Sequence, residues 1–426
     1  MVRTVADGWL AGVATTGMGV TFSGPPRRVN GFARRAGWTA RRLAWLLFDW
    51  TSHFWAPTVA FTMLRIGWLN RLRLNSFSLV VLLHAVCLSP GAAATSLTIE
   101  GSHFVVNGKP CFLLGISYYG GLGASEDSIC KDLDDAQRYG FNWLRLWTTW
   151  AGFGSDVSAV GTEGGPREPF LGRLKWLVVE CDRRGMVVDI TLNRGKASRS
   201  SPAGGWVPDL ASHQRAVETL VTALKPHRNW YLDLANEHDV RDARYVSAEE
   251  LKALRETVRR LDSARLVTAS FGGHDLDEQE MRDSFVEIGL DFLTPHRPRT
   301  ADSPHQTEAQ TRAALAVMDR LGRPSPVHYQ EPFRRGYGGW QPAAEDYLVD
   351  LRGAIAGGAA GWCFHNGAQN GAPASQPRRS FDLRDKRLFD QLDSEELKLV
   401  AAVNKAVGEW SSIPNQNTRD ARKLSR

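Results

Sequence analysis

The sequence predicts a (β/α)8 TIM barrel, carried by three observations. Between residues 112 and 366, eight short apolar runs alternate with amphipathic stretches of helical period. Several of those stretches close on glycine, as helix C-termini tend to. No glycine-rich fingerprint follows the first run, as a dinucleotide-binding doubly wound sheet would require.

In chain order, residues 1–62 read as a basic extension, either disordered or lying upstream of a true start at Met63. Residues 63–94 read as a secretory signal peptide. "MLRIGWLNRLRLN" is a basic n-region, "SFSLVVLLHAVCL" an apolar core and "SPGAAA" a small-residue cleavage end. The apolar core is shorter than the ~20 residues needed to span a bilayer, so no stable membrane insertion is expected. "LTIEGSHFVVNGKP" then predicts a small N-terminal hairpin turned at 100–102, with Asn107-Gly108 as a second turn. The catalytic-size domain runs over 95–410, and a polar tail follows at 411–426.

The predicted barrel strands are 112–119, 141–147, 186–193, 230–237, 266–273, 291–297, 326–332 and 361–366. Helical patterns between them include "SICKDLDDAQRYG", "EELKALRETVRRL", "EAQTRAALAVMDRLG" and "AAEDYLVDLRGAIAGG". With 43% apolar residues in 426, the chain can bury one large core.

Charge argues against a nucleic-acid partner. The net charge is +6, but residues 1–62 carry +5 and residues 63–94 carry +3, leaving the body at −2. The cysteines Cys111, Cys130, Cys181 and Cys363 form no C-x-x-C pair, so a zinc site is not indicated and any disulfide pairing stays open. His238, His274, His296 and His365 fall near strand ends without the close spacing of metal ligands, and no metal or cofactor is expected.

In a barrel of this kind the reactive side chains sit at the C-terminal strand ends. Those ends hold Arg145 and Trp147 on strand 2, Asn193 on strand 3 and Asn236-Glu237-His238 on strand 4. Strand 6 adds His296, strand 7 Glu331, and strand 8 Trp362 and His365. Two of these are carboxylates, on strands that face each other across a barrel mouth. Glycoside hydrolysis needs such a pair, one as proton donor and one as nucleophile or base. Trp150, Trp206 and Trp340 fall in or near the top loops, where aromatic faces suit sugars or simply pack.

"LANEHD" and "YQEPF" resemble the acid/base and nucleophile motifs of the clan of retaining (β/α)8 glycoside hydrolases. Within it, residues 97–405 look most like glycoside hydrolase family 5, the cellulase and mannanase family. The resemblance implies Glu237 as acid/base and Glu331 as nucleophile. It implies Asn236 on the sugar 2-hydroxyl, Arg145 beside the nucleophile, Trp362 as a stacking floor and His296 as the first position of a His-x-Tyr motif. Where that motif has tyrosine this chain has Pro298, so Tyr329 is the candidate substitute; Asn193 stands where many members have histidine. The implied partner is a polysaccharide or oligosaccharide of β-mannan or β-glucan type, acted on by a secreted or periplasmic monomer. A carbohydrate-binding barrel with weakened catalysis, or a transglycosylase, would use the same residues.

Overall fold

The computed structural model describes residues 94–193, 204–241, 244–336, 339–366 and 381–408. The extension at 1–62, all but the last residue of the 63–94 leader, and the 411–426 tail lie outside the described residues. So does most of the loop after the third barrel strand.

The first element is a three-stranded antiparallel meander, the expected hairpin continued by a third strand beyond the Asn107-Gly108 turn. Its strands are β1 (Leu97–Glu100), β2 (His103–Val106) and β3 (Lys109–Cys111). Asn107 and Gly108 both take positive φ, 52° and 75°, which is the turn geometry their sequence favours. The meander covers the N-terminal end of the barrel. Phe104 meets Phe292 edge-on at 5.0 Å and His328 at 5.3 Å, and it packs in one cluster with Trp143 and Tyr231.

Seven barrel strands form one parallel sheet. They are β4 (Leu113–Tyr118), β5 (Trp143–Trp147), β8 (Val187–Thr191), β9 (Trp230–Asp233), β10 (Val267–Thr268), β11 (His328–Tyr329) and β12 (Gly361–Phe364). Their order is β10-β9-β8-β5-β4-β12-β11. Two-residue strands β6 (Ala151–Gly152) and β7 (Ser155–Asp156) make a separate pair above β5. The remaining stave, sixth in chain order, is the segment 291–296, which closes the ring through single bridges. Leu293 pairs with Val327 and Pro295 with Phe271. Leu293 N donates to Pro326 O and His296 N to Phe271 O, at 3.0 and 2.9 Å. Pro295 has no N–H to give, so the expected strand at 291–297 is a stave without a regular ladder.

Alternation sorts the staves into two layers. Leu144, Leu146, Val188, Ile190 and Leu232 face the helices, whereas Leu113, Trp143, Val187 and Tyr231 fill the axis. A Cβ on Gly115 would fall inside the indole of Trp143, so this position stays open for the ring. The expected helices form, for example Glu126–Arg138 capped by Ser125 and Ala248–Leu261 capped by Ser247. Among the described residues none is long and apolar enough to cross a membrane. Cys111, Cys130, Cys181 and Cys363 are all free thiols.

Candidate active site

Arg145 organises the mouth from below. It points up the barrel axis from β5, fully buried in a chain segment, "WLRLW", whose neighbours are apolar. Its Nε lies 3.3 Å from Asp189 Oδ2, and its Nη2 lies 3.2 Å from Asp233 Oδ2 and 3.0 Å from Asn236 Oδ1. Nη1 donates to Glu331 Oε1. Burial opposes this charge, but Glu331, Asp189 and Asp233 raise the guanidinium pKa above its ordinary value. Asp189 is pushed up to about 8 by burial, against the pull of Arg145.

Glu331 stands two residues beyond β11, with both oxygens engaged. Oε1 also accepts from the Tyr119 hydroxyl at 3.0 Å. Oε2 accepts from Arg299 Nη2 at 2.9 Å, with His365 Nε2 at 3.4 Å and His296 Nδ1 at 3.8 Å. Burial would raise this carboxyl, yet His365, His296, Arg145 and Arg299 hold it well below the usual carboxylate range. Burial also drives His365 well below the usual imidazole range.

Glu237 follows β9 on a backbone with φ of 50°, a left-handed conformation that costs a non-glycine residue on the order of 1 kcal/mol or more. Its N–H donates to Ser270 Oγ at 3.1 Å, and its C=O accepts from Val240 N at 3.1 Å. The carboxylate meets His296 Nδ1 and Arg299 Nη2, each at 3.2 Å. Burial raises Glu237, but the His296 hydrogen bond and Arg299 bring it below its ordinary value. One ligand atom each from Glu237, His296 and Glu331 lie within 4.8 Å of one another. Such a triplet could hold a cation, but here Arg299 already spans the two carboxylates.

The fold therefore brings together Glu237, Glu331, Arg145, Asn236 and His296. Trp147 joins them: its ring lies 5.1 Å from the Arg145 guanidinium and stacks on Tyr119 at 5.1 Å. Asn193 sits at the rim instead, its amide donating to Gly205 O and its N–H accepted by Thr149 Oγ1.

Two expectations fail. Trp362 is no stacking floor: it is fully buried and points outward into the helix layer, its indole N–H donating to Asp350 Oδ2 at 2.6 Å. Tyr329 does not orient Glu331 either. It also faces the helices, with its hydroxyl 2.6 Å from Thr311 Oγ1. The reason is phase. Gly361, Cys363 and His365 share the inner face of the eighth stave, and β11 ends at Tyr329, so alternation does not carry on to Glu331.

The residues that sequence reasoning missed are Tyr119, at the end of the first stave, and Arg299, from the loop beyond Pro298. His365 stood in the sequence as a strand-end residue without a role. Its Nδ1 lies 3.1 Å from Ser117 Oγ and its Nε2 faces Glu331.

No family model and no curated protein matches the chain by sequence. Its fold does match solved structures. A glycoside hydrolase family 5 mannosidase from Rhizomucor miehei superposes with a TM-score of 0.52 at 13% identity, over 75% of this chain and 99% of that one. An exo-β-1,4-mannosidase from Opitutaceae bacterium strain TAV5 gives 0.53 at 17% identity, over 75% and 64%. A glycoside hydrolase family 5 protein from Bacteroides vulgatus ATCC 8482 gives 0.52 at 15% identity, over 70% and 68%. The likeness is one of fold. It is the same barrel architecture that the strand alternation predicts, with the paired carboxylates of this chain at its C-terminal mouth.

Proposed function

We propose that the protein is a retaining glycoside hydrolase acting on a β-linked polysaccharide or oligosaccharide of mannan or glucan configuration. The observation that carries this reading is the pair Glu237 and Glu331. They stand at the ends of the fourth and seventh staves with carboxylate oxygens within 4.8 Å across the mouth. Carboxyl groups about 5–5.5 Å apart suit direct attack by one of them, whereas inversion needs about 6.5–9.5 Å for an intervening water, so oxygens this close support the retaining reading.

Glu331, ionised by its guanidiniums, attacks the anomeric carbon. The glycosidic C–O bond breaks as Glu237 delivers a proton to the leaving oxygen. Glu237, now a carboxylate, takes a proton from water; that water attacks the anomeric carbon and frees Glu331. Asn236, fixed by Arg145, is placed to donate to the 2-hydroxyl of the same sugar. Tyr119, Trp147 and Trp150 form one aromatic cluster beside the nucleophile, with Tyr119 4.9 Å from Trp150. Tyr119 donates to Glu331 because burial and the Glu331 charge keep its phenol protonated. Export rests on the 63–94 leader, and a mature N-terminus near residue 95 in culture medium or periplasm would test it.

The deciding experiment is reducing-sugar release from mannan, mixed-linkage glucan, cellulose, xylan and galactan, with Glu331→Ala alongside. Activity lost in the variant, with the first-formed product showing the β anomer by NMR, supports the reading. Activity that persists in the variant, or an α first product, overturns it.

A further inference from the structure

Arg145 already pairs with Glu331, yet a second guanidinium sits on the same carboxylate. Arg299 bonds Glu331 Oε2 at 2.9 Å and Glu237 Oε1 at 3.2 Å with a single nitrogen, which places its charge in the gap where a glycosidic bond would lie. For a neutral sugar this arrangement is adverse twice over. The sugar must part Arg299 from two anions and give nothing ionic in return. Arg299 also favours the anionic form of Glu237, the residue that has to deliver a proton. A third guanidinium, Arg334, lies 6.0 Å from the centre of the Tyr119 ring, on the same side of the mouth.

We propose that the sugar bound at the cleavage site carries a carboxylate, as a hexuronate of gluco or manno configuration, and that Arg299 is the residue that takes it. The guanidinium is planar with a forked set of donors that matches a carboxylate in two bonds. Its side chain is 15% exposed, so it can be reached from the mouth without unfolding anything. When the uronate arrives, Arg299 exchanges two protein carboxylates for one ligand carboxylate, while Glu331 keeps Arg145 as its ion-pair partner. Glu237 then keeps His296 and Glu331 as its neighbours but loses a cation, which moves it toward the protonated form that acid catalysis uses. Recognition of the anionic substituent and arming of the acid are thus one event. This inference rests on the glycoside hydrolase reading for the chemistry, though not for the binding.

The test compares 4-nitrophenyl β-D-glucuronide and β-D-mannuronide with the corresponding glucoside and mannoside. The full chain is assayed as wild type, Arg299→Gln and Arg299→Lys. Wild type should favour a uronide by at least about tenfold in kcat/KM. Arg299→Gln should reduce that preference to about twofold or less, and Arg299→Lys should restore part of it. The alkaline limb of kcat/KM on the neutral glycoside should also move to higher pH in Arg299→Gln. A wild type that favours neutral glycosides, or a variant that slows both classes by one factor, overturns the proposal. Binding separates the two claims, read as tryptophan fluorescence while D-glucuronate or D-glucose is titrated into wild type and Arg299→Gln. Saturation by glucuronate alone, lost in the variant, supports the anion site even where no glycoside is cleaved, and it is then the hydrolase reading that falls. Cleavage of neutral polymers without glucuronate binding overturns the anion site and leaves the hydrolase reading standing.

Discussion

Tyr119 donates its hydroxyl hydrogen bond to Glu331 Oε1 at 3.0 Å, from the end of the first barrel stave to a residue beyond the seventh. The two are 212 positions apart in sequence. The phenol reaches this carboxylate from another strand than the His-x-Tyr position at Pro298. Because the acceptor is charged, the bond contributes about 1.5–3 kcal/mol. Tyr119→Phe should therefore lower kcat by roughly tenfold to a hundredfold while the fold survives. Steady-state kinetics beside a circular dichroism melt would check this, and an unchanged kcat would remove Tyr119 from the nucleophile's support.

Trp362 is held by Asp350, not by a ligand. Trp362→Phe keeps an apolar ring but leaves a small cavity and strips the buried Asp350 oxygen of its indole donor; the lost donor alone costs about 1–3 kcal/mol. The expected outcome is a lower urea midpoint with KM unchanged. A raised KM with an unchanged midpoint would return Trp362 to the sugar site.

Asp350 gives that same contact a pH signature. Burial pushes its carboxyl up from 3.8 to about 6, with the Thr307 and Trp362 hydrogen bonds pulling the other way. Below pH 3.8 both folded and unfolded chains hold the proton, and the group's contribution to stability is full. Between 3.8 and 6 the unfolded chain releases the proton while the folded one retains it, so that contribution is lost as pH rises. Asp350→Asn has no proton to lose. Wild type should therefore lose about 2 kcal/mol relative to the variant between pH 4 and pH 6, of about 3 kcal/mol over the whole titration, read from urea unfolding at each pH. A constant difference across that window would mean that Asp350 is not buried as an acid.

The parts of the site that could be read from sequence are those fixed by strand period. Arg145 interrupts an apolar run of alternating residues, so it had to point into the axis and had to be paired. Glu237 and Glu331 follow apolar runs directly and so fall at the mouth. Trp362 was misread because its strand opens on Gly361, which has no side chain to mark the inner face. Tyr329 was misread because β11 is two residues long and its phase ends with it. Arg299 reaches the carboxylates from a loop after Pro298, and a loop's path depends on tertiary packing that no local period encodes. The shortened fifth and sixth staves have a similar cause, since Pro295 interrupts the ladder that "DFLTPHR" suggests.

Glu237 and Glu331 have non-equivalent surroundings, and leaving-group dependence exposes the difference. The Glu331 side chain is 6% exposed and bonded by two guanidiniums, whereas the Glu237 side chain is 23% exposed at the rim. If Glu237 is the proton donor, Glu237→Gln should slow cleavage of a poor leaving group by about 10²–10⁴-fold. The same variant should spare formation of the glycosyl-enzyme from a 2,4-dinitrophenyl glycoside, whose leaving group needs no proton. Its second step then lacks a base, so the intermediate should accumulate and give a burst of dinitrophenol. Glu331→Gln has no nucleophile for either substrate and should show neither burst nor turnover. Stopped-flow release of dinitrophenol with both variants checks the assignment. A burst in Glu331→Gln with none in Glu237→Gln would exchange the two roles.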